Sequence, residues 1–159
     1  MDVYLAIASK RDERRYDTRP IEEAIVTRIL DAGRLSGSSR NLQAWEFVVV
    51  EDREALAETV YAPANVRTSA LAIAIVAERA FDAGRAAQSM MLAAWNDGVV
   101  SCPNGIADEE AATRIVGAKP AIVVSFGYPA RPRDPLQRTP EEWSARANRK
   151  PLDEVARRV

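Results

Sequence analysis

The 159-residue sequence has no histidine and a single cysteine, Cys102. Without histidine there is no Ser-His-Asp triad, no His general base, no zincin motif and no facial iron triad. One cysteine makes neither an internal disulfide nor a thiolate metal cluster. No metal site is therefore expected, and no protein acid or base is assigned as catalytic. Long hydrophobic runs are missing too: nothing approaches the roughly 18 apolar residues of a membrane span, and no basic region precedes the short apolar stretch of MDVYLAIASK. These features predict a cytoplasmic protein with no membrane partner. Lysine is scarce, limited to Lys10, Lys119 and Lys150 among 22 basic residues. The remaining cations are arginines, whose planar guanidinium suits bidentate contact with phosphate or carboxylate, although a GC-rich genome gives the same bias.

What is present is an ordinary globular composition, with 47% hydrophobic residues and 22 cations against 23 carboxylates. The charge is nevertheless uneven. Residues 10–15 hold four cations and two anions, residues 131–159 hold eight and five, and the centre, 51–120, is acidic with ten carboxylates against six cations. A pI near 5.6 argues against a nucleic-acid partner, whereas two small basic patches suit a small anion as well as a solvated surface. No linker, repeat or low-complexity tract interrupts residues 1–159, which are read as one domain.

Periodicity predicts a short first helix through Val3 and Ile7 ending near Lys10. A second helix is expected to have Pro20 in its first turn, an apolar stripe of Ile21, Ile25, Ile29 and Ala32, and Gly33 as terminator. Strands are predicted at 45–50, at Leu71–Ala77, at 99–102 and at 121–126, the second and fourth being continuous apolar runs of the kind buried on both faces. Residues 53–60 read as a surface helix. Residues 83–96 carry apolar side chains at Ala87, Met90, Met91, Ala94 and Trp95, which form either a core helix or half of a subunit interface. Asp108 is placed to cap a helix reaching Val116, and Thr139-Pro140-Glu141-Glu142 reads as a capping box. The fold class that follows is α+β, a mixed sheet flanked by helices. No Gly-Lys-Ser/Thr phosphate loop accompanies Gly33 to Ser39.

Two segments concentrate polar chemistry. Lys10-Arg11-Asp12-Glu13-Arg14-Arg15-Tyr16 closes the first helix, and Ser38-Ser39-Arg40-Asn41-Leu42-Gln43-Ala44-Trp45-Glu46-Phe47 leads into a strand. Hydroxyls and carboxamides both donate and accept, as an uncharged heteroaromatic ring requires of its site. In this order the segments resemble the flavin-dependent nitroreductase family. The first is similar to its Arg-Arg-Ser-x-Arg-x-Phe motif and the second to its Ser-x-x-Asn-x-Gln-Pro-Trp-x-Phe motif. The stretch 81–103, the Gly127-Tyr128-Pro129 turn and Arg149-Lys150-Pro151-Leu152 resemble its central helix, closing strand and C-terminal segment, so that the likeness runs from about residue 3 to 154.

The resemblance implies a homodimer with a central, mostly antiparallel sheet of about four or five strands and FMN in a cleft at the subunit interface. It implies that Lys10, Arg11, Arg14 and Arg149 hold the phosphate and ribityl side, with Asp12 in the same motif. Ser38, Ser39 and Asn41 would reach the flavin from the partner subunit, beside Gln43 of the same segment. Asn65 would meet the pyrimidine edge, and Asn104 and Gly105, in a loop after the third strand, would face the reactive edge. Plainer roles for the same residues are surface ion pairs for Arg14 and Arg149 and a turn cap for Asn41. The implied activity is ping-pong NAD(P)H oxidation, with NADH or NADPH as transient donor and a nitroaromatic, quinone or similar small molecule as acceptor. The alternative is a flavin-binding homologue without turnover, a store, sensor or degenerate member. Three departures are noted: Asp12 stands where the family has Ser and opposes a phosphate, Ala44 replaces Pro, and the chain is short between Tyr61 and Phe81 and after Val155, where pocket walls and part of a dimer clasp are expected to be reduced.

Overall fold

The computed structural model describes residues 1–159 as two compact units, residues 1–10 with 134–159 and residues 11–133. The larger unit is built on a four-stranded sheet in the order β1-β2-β4-β3, formed by β1 (Trp45–Val49), β2 (Leu71–Ala77), β3 (Val100–Asn104) and β4 (Pro120–Gly127). Every neighbouring pair is antiparallel. Strands β2 and β3 therefore run parallel on either side of β4. Such a pair needs a crossover, and helix α5 (Ala80–Asn96) supplies it.

The continuous apolar run of β2 has a physical reason: both of its faces are covered. Leu71, Ile73 and Ile75 point to a core shared with Val124, Phe126, Ile29 of α2 (Glu23–Arg34) and Met90, Met91 and Ala94 of α5. The intervening Ala72 and Ala74 face a second core containing Leu56 of α3 (Arg53–Ala57) and Val66 of α4 (Pro63–Arg67). Small residues on one face and large ones on the other match the short helices to one side and the long ones to the other. The Ala/Met face of α5 is thereby a core face, which settles the choice between core and subunit interface for these residues. Helix α6 (Glu109–Val116) begins at Asp108, whose side chain accepts the Ala111 amide, and stops at the left-handed Gly117.

Two local expectations are corrected. Helix α2 begins at Glu23 with Glu22 as its first flanking residue, so Pro20 lies outside it. Gly33 does not end α2 but lies inside it, where an added Cβ would run into Met90 and the Phe47 ring; its missing side chain is a packing feature. The first helix forms where expected, α1 (Val3–Ser9) ending at Lys10; Val3, Tyr4 and Ile7 are exposed on it while Ala6 and Ser9 are buried.

The smaller unit contains α1, a 3-10 turn at Pro135–Gln137, α7 (Pro140–Arg146) and α8 (Leu152–Val155). Helix α7 opens with the expected capping box: the Thr139 amide donates to Glu142 at 2.8 Å and the Glu142 amide to the Thr139 hydroxyl at 3.3 Å. No helix is long and apolar enough to cross a membrane.

Candidate functional site

The arginine-bearing segment 11–17 is an extended strap fastened along its length. Asp12 bridges Ser101, and the Glu13 amide donates to the Ser101 carbonyl at 3.1 Å. Tyr16 bridges Pro129, the Ala130 amide donates to Arg15, and the Asp17 amide donates to Tyr128 at 2.8 Å. Glu13 is ion-paired with Arg133. Arg14 stands between these ties, exposed and in no ion pair, so the plainer role considered for it does not apply. Arg11 is half-buried and Asp12 exposed.

Tyr16 lays its ring against Gly127, where a Cβ would come within 2.8 Å of the ring. Its hydroxyl lies 2.8 Å from the Ser125 hydroxyl, the nearer partner for its one proton, and 3.3 Å from the Ser125 carbonyl. Burial pushes the Tyr16 phenol well above the ordinary tyrosine range, against a smaller opposing effect of the Ser125 hydrogen bond. It is therefore an O–H donor at any working pH. The folded phenol keeps its proton to higher pH than the unfolded one, so this contribution to stability is full below about pH 10 and is lost as the pH rises above it. Urea unfolding of the protein and its Tyr16→Phe variant at pH 8 and pH 11 is expected to show a steeper alkaline loss in the parent.

Behind Tyr16 lies a chain of buried polar side chains. Asn104 Nδ2 donates to the Ser125 hydroxyl at 3.0 Å, to the Cys102 carbonyl at 2.9 Å and, at 3.4 Å, to the Val123 carbonyl. Asn65 Nδ2 donates to Asn104 Oδ1 at 3.0 Å. The expectation that Asn104 sits in a loop is corrected: it is the last residue of β3, only 3% exposed, with its amide turned between strands. Asn65 belongs to α4, the helix that directly precedes β2. Gly105, next in sequence, is exposed; its carbonyl accepts the Tyr61 amide and the Tyr61 ring stands over it.

The second polar segment turns through a 3-10 stretch at Ser39–Asn41. Arg40, Asn41 and Gln43 have φ of 53°, 56° and 52°, left-handed values that cost residues with a Cβ roughly 1–2 kcal/mol each. External ties stabilise this shape. The Ser38 hydroxyl accepts the Gln43 amide at 2.9 Å, Arg79 donates to the Ser39 hydroxyl, and Asp82 in the first turn of α5 accepts the Ser39 amide at 3.3 Å. Ser38 is thus the residue that closes the turn; the Asn41 backbone amide donates to the Ser38 carbonyl and its backbone carbonyl accepts from the Gln43 side chain, while the Asn41 side chain itself is exposed. Asp82 is 6% exposed; Asp82→Ala leaves the Ser39 amide unpaired and is expected to cost about 1–3 kcal/mol in urea unfolding, with faster amide exchange confined to 38–43.

Lys10 and Arg149 lie in the smaller unit, Lys10 buried at the end of α1 and Arg149 exposed and in no ion pair. Tyr16, Ser125 and Asp82 were not foreseen as site residues. The available signals were a phenol where the family motif has Phe, a lone hydroxyl within the apolar AIVVSF run, and an acid on the inner face of α5.

A family profile described as the nitroreductase family matches residues 7–80. A protein of Archaeoglobus fulgidus, provisionally named an NADH dehydrogenase or NAD(P)H nitroreductase, is 30% identical over 149 residues, 80% of this chain and 86% of its own length. Among solved structures, a protein of Parabacteroides distasonis with the same provisional name superposes with a TM-score of 0.77 at 25% identity, covering 85% of this chain and 92% of its own. An FMN-dependent nitroreductase of Clostridium difficile shares the fold with a TM-score of 0.72 at 24% identity, covering 81% and 88%.

Proposed function

The chain belongs to the nitroreductase family, and from that premise we infer that this NAD(P)H-dependent oxidoreductase binds FMN and reduces nitroaromatic, quinone or similar acceptors in a ping-pong cycle. The observation that carries the reading is the fastened strap at 11–17. It presents an unpaired guanidinium from backbone fixed on both sides, so that binding an anion there loses little conformational freedom. The donor set fits FMN: Arg11 and Arg14 for phosphate, the Ser38 and Ser39 hydroxyls with Asn41 and Gln43 for ribityl and ring atoms, and an acceptor on Asn65 for the pyrimidine. Lys10 and Arg149 are carried over from the family motif and are tested singly in the same titration as Arg14.

Bound FMN supplies the redox chemistry, accepting hydride from NADH or NADPH and passing electrons to the second substrate. The chain's own residues bind, orient and tune. Guanidinium groups neutralise the phosphate, and Asn65 fixes the ring edge with a directed hydrogen bond. Gly105 has no side chain of its own, and the space beside it is taken by the Tyr61 ring. Nothing here requires a protein proton donor, in keeping with the missing histidine. We further propose a homodimer in which Ser38, Ser39 and Asn41 serve the partner's flavin; sedimentation of the FMN-loaded protein is expected to give twice the chain mass.

The deciding experiment mixes FMN-loaded protein with NADPH, then with NADH, without oxygen. The oxidised flavin band is expected to bleach and to return on adding a nitroaromatic or quinone. A yellow protein that never bleaches supports the storage reading, and a colourless protein that takes up no FMN overturns both.

A further inference from the structure

The polarity of the buried amide pair is dictated by the sheet. Asn104 faces two backbone carbonyls, those of Cys102 and Val123, which only accept; the side-chain group turned toward them has to be the NH2. The Ser125 hydroxyl donates to the Cys102 carbonyl at 3.2 Å and so accepts from Asn104 and from Tyr16, which aligns every bond in one direction. With its NH2 committed, Asn104 offers Oδ1 to Asn65. Asn65 answers with its own NH2, and its Oδ1, on a side chain of a residue 93% buried, accepts no hydrogen bond from the protein. Rotating either amide would set oxygen against oxygen, at the cost of an unpaired buried acceptor.

We propose that Asn104 is a positioning residue, which through this chain of hydrogen bonds holds the Asn65 carbonyl ready to accept from a ring imide N–H, the N3–H of the flavin. The proposal rests on the reading of FMN as the cofactor and goes beyond it. It reassigns Asn104 from a contact residue to one acting through Asn65, with Ser125 and Tyr16 fixing its orientation from behind. It also defines the ligand chemistry that the site selects, a planar heterocycle with an N–H donor flanked by carbonyls. A ring presenting a lone pair at that position would meet the Asn65 oxygen head-on.

The test compares binding of FMN and of 3-methyl-FMN, which lacks the N3–H, by fluorescence titration of the apoprotein. The parent is expected to prefer FMN by roughly tenfold or more, the value of one buried, directed hydrogen bond. Asn104→Leu keeps the side-chain volume and removes the polarity device. In it the preference is expected to fall below about threefold, with FMN itself bound more weakly. A general structural role for Asn104 would weaken both ligands equally and preserve the ratio, and that result overturns the proposal. Equal binding of the two flavins by the parent overturns it as well while leaving FMN as cofactor; failure of the parent to bind FMN at all defeats the underlying reading too. Should Asn104→Leu not fold, Ser125→Ala gives the same comparison, and a ratio unchanged from the parent counts against the proposal.

Discussion

Replacing Arg14 by alanine is expected to weaken FMN binding by roughly 10- to 150-fold, the equivalent of about 1.5–3 kcal/mol for a hydrogen bond to a charged group. The size follows from the strap. Arg14 is flanked by Glu13, whose amide is tied to Ser101, and by Arg15, whose carbonyl is tied to Ala130. Its backbone is therefore fixed before any ligand arrives, and only the side chain loses freedom on binding. Because Arg14 is exposed and in no ion pair, its removal is expected to leave the melting temperature of the apoprotein within about a degree. Asp12→Ser, two residues back along the strap, is expected to act in the opposite direction by removing a carboxylate that repels a phosphate. A titration in which Arg14→Ala binds FMN within threefold of the parent would remove the phosphate from this segment and with it the proposed cradle.

The strands were legible because burial on two faces leaves an unmistakable trace. LAIAIVA and AIVVSF have no polar residue to spare for solvent, and they became β2 and β4, the two central strands. The capping residues Asp108 and Thr139 were equally readable, since a capping side chain acts within three residues of itself. What failed were features decided by distant partners. Gly33 carries the local signature of a helix terminator, yet Met90 and Phe47 occupy the space beside it and the helix ends one residue later, at Arg34. Helix α4 has five residues, too few for a period to show. Strand order is also invisible along the chain, because β4 enters between β2 and β3 only after both have been made.

The site shows the same division. The cationic strap and the hydroxyl-rich turn were found as local clusters of residue types suited to an anion and a polar ring. The function of Asn104 was not, because the spacing that places it after a strand says nothing about which atoms face it. Only the carbonyls of Cys102 and Val123 decide which end of its amide points at Asn65. Likewise the left-handed backbone at Arg40, Asn41 and Gln43 has no glycine to announce it; it depends on Ser38, Arg79 and Asp82, the last 43 residues from the amide it accepts.

Gly127→Ala is expected to cost about 1–3 kcal/mol of stability and to lower the melting temperature by roughly 3–10 °C. The new methyl would lie 2.8 Å from Tyr16 Cδ1, 2.9 Å from Cγ and 3.0 Å from Cβ. These are atoms at the root of the side chain, which cannot swing aside as the tip of a lysine would. The backbone gives no relief either, since Tyr16 bridges Pro129 and its neighbours Arg15 and Asp17 are bonded to Ala130 and Tyr128. The strap has to lift, and Arg14 moves with it. Gly127→Ala is thus expected to weaken FMN binding as well as folding, although residue 127 offers no group to the cofactor. A double-mutant cycle makes the argument quantitative. In a Tyr16→Gly background all three of these atoms are gone, so adding the methyl should cost less than about 0.5 kcal/mol and leave FMN affinity where Tyr16→Gly alone puts it. Equal penalties in both backgrounds would mean that the Tyr16 ring is not what Gly127 accommodates, and the strap would then need another anchor than the one between β4 and the phenol.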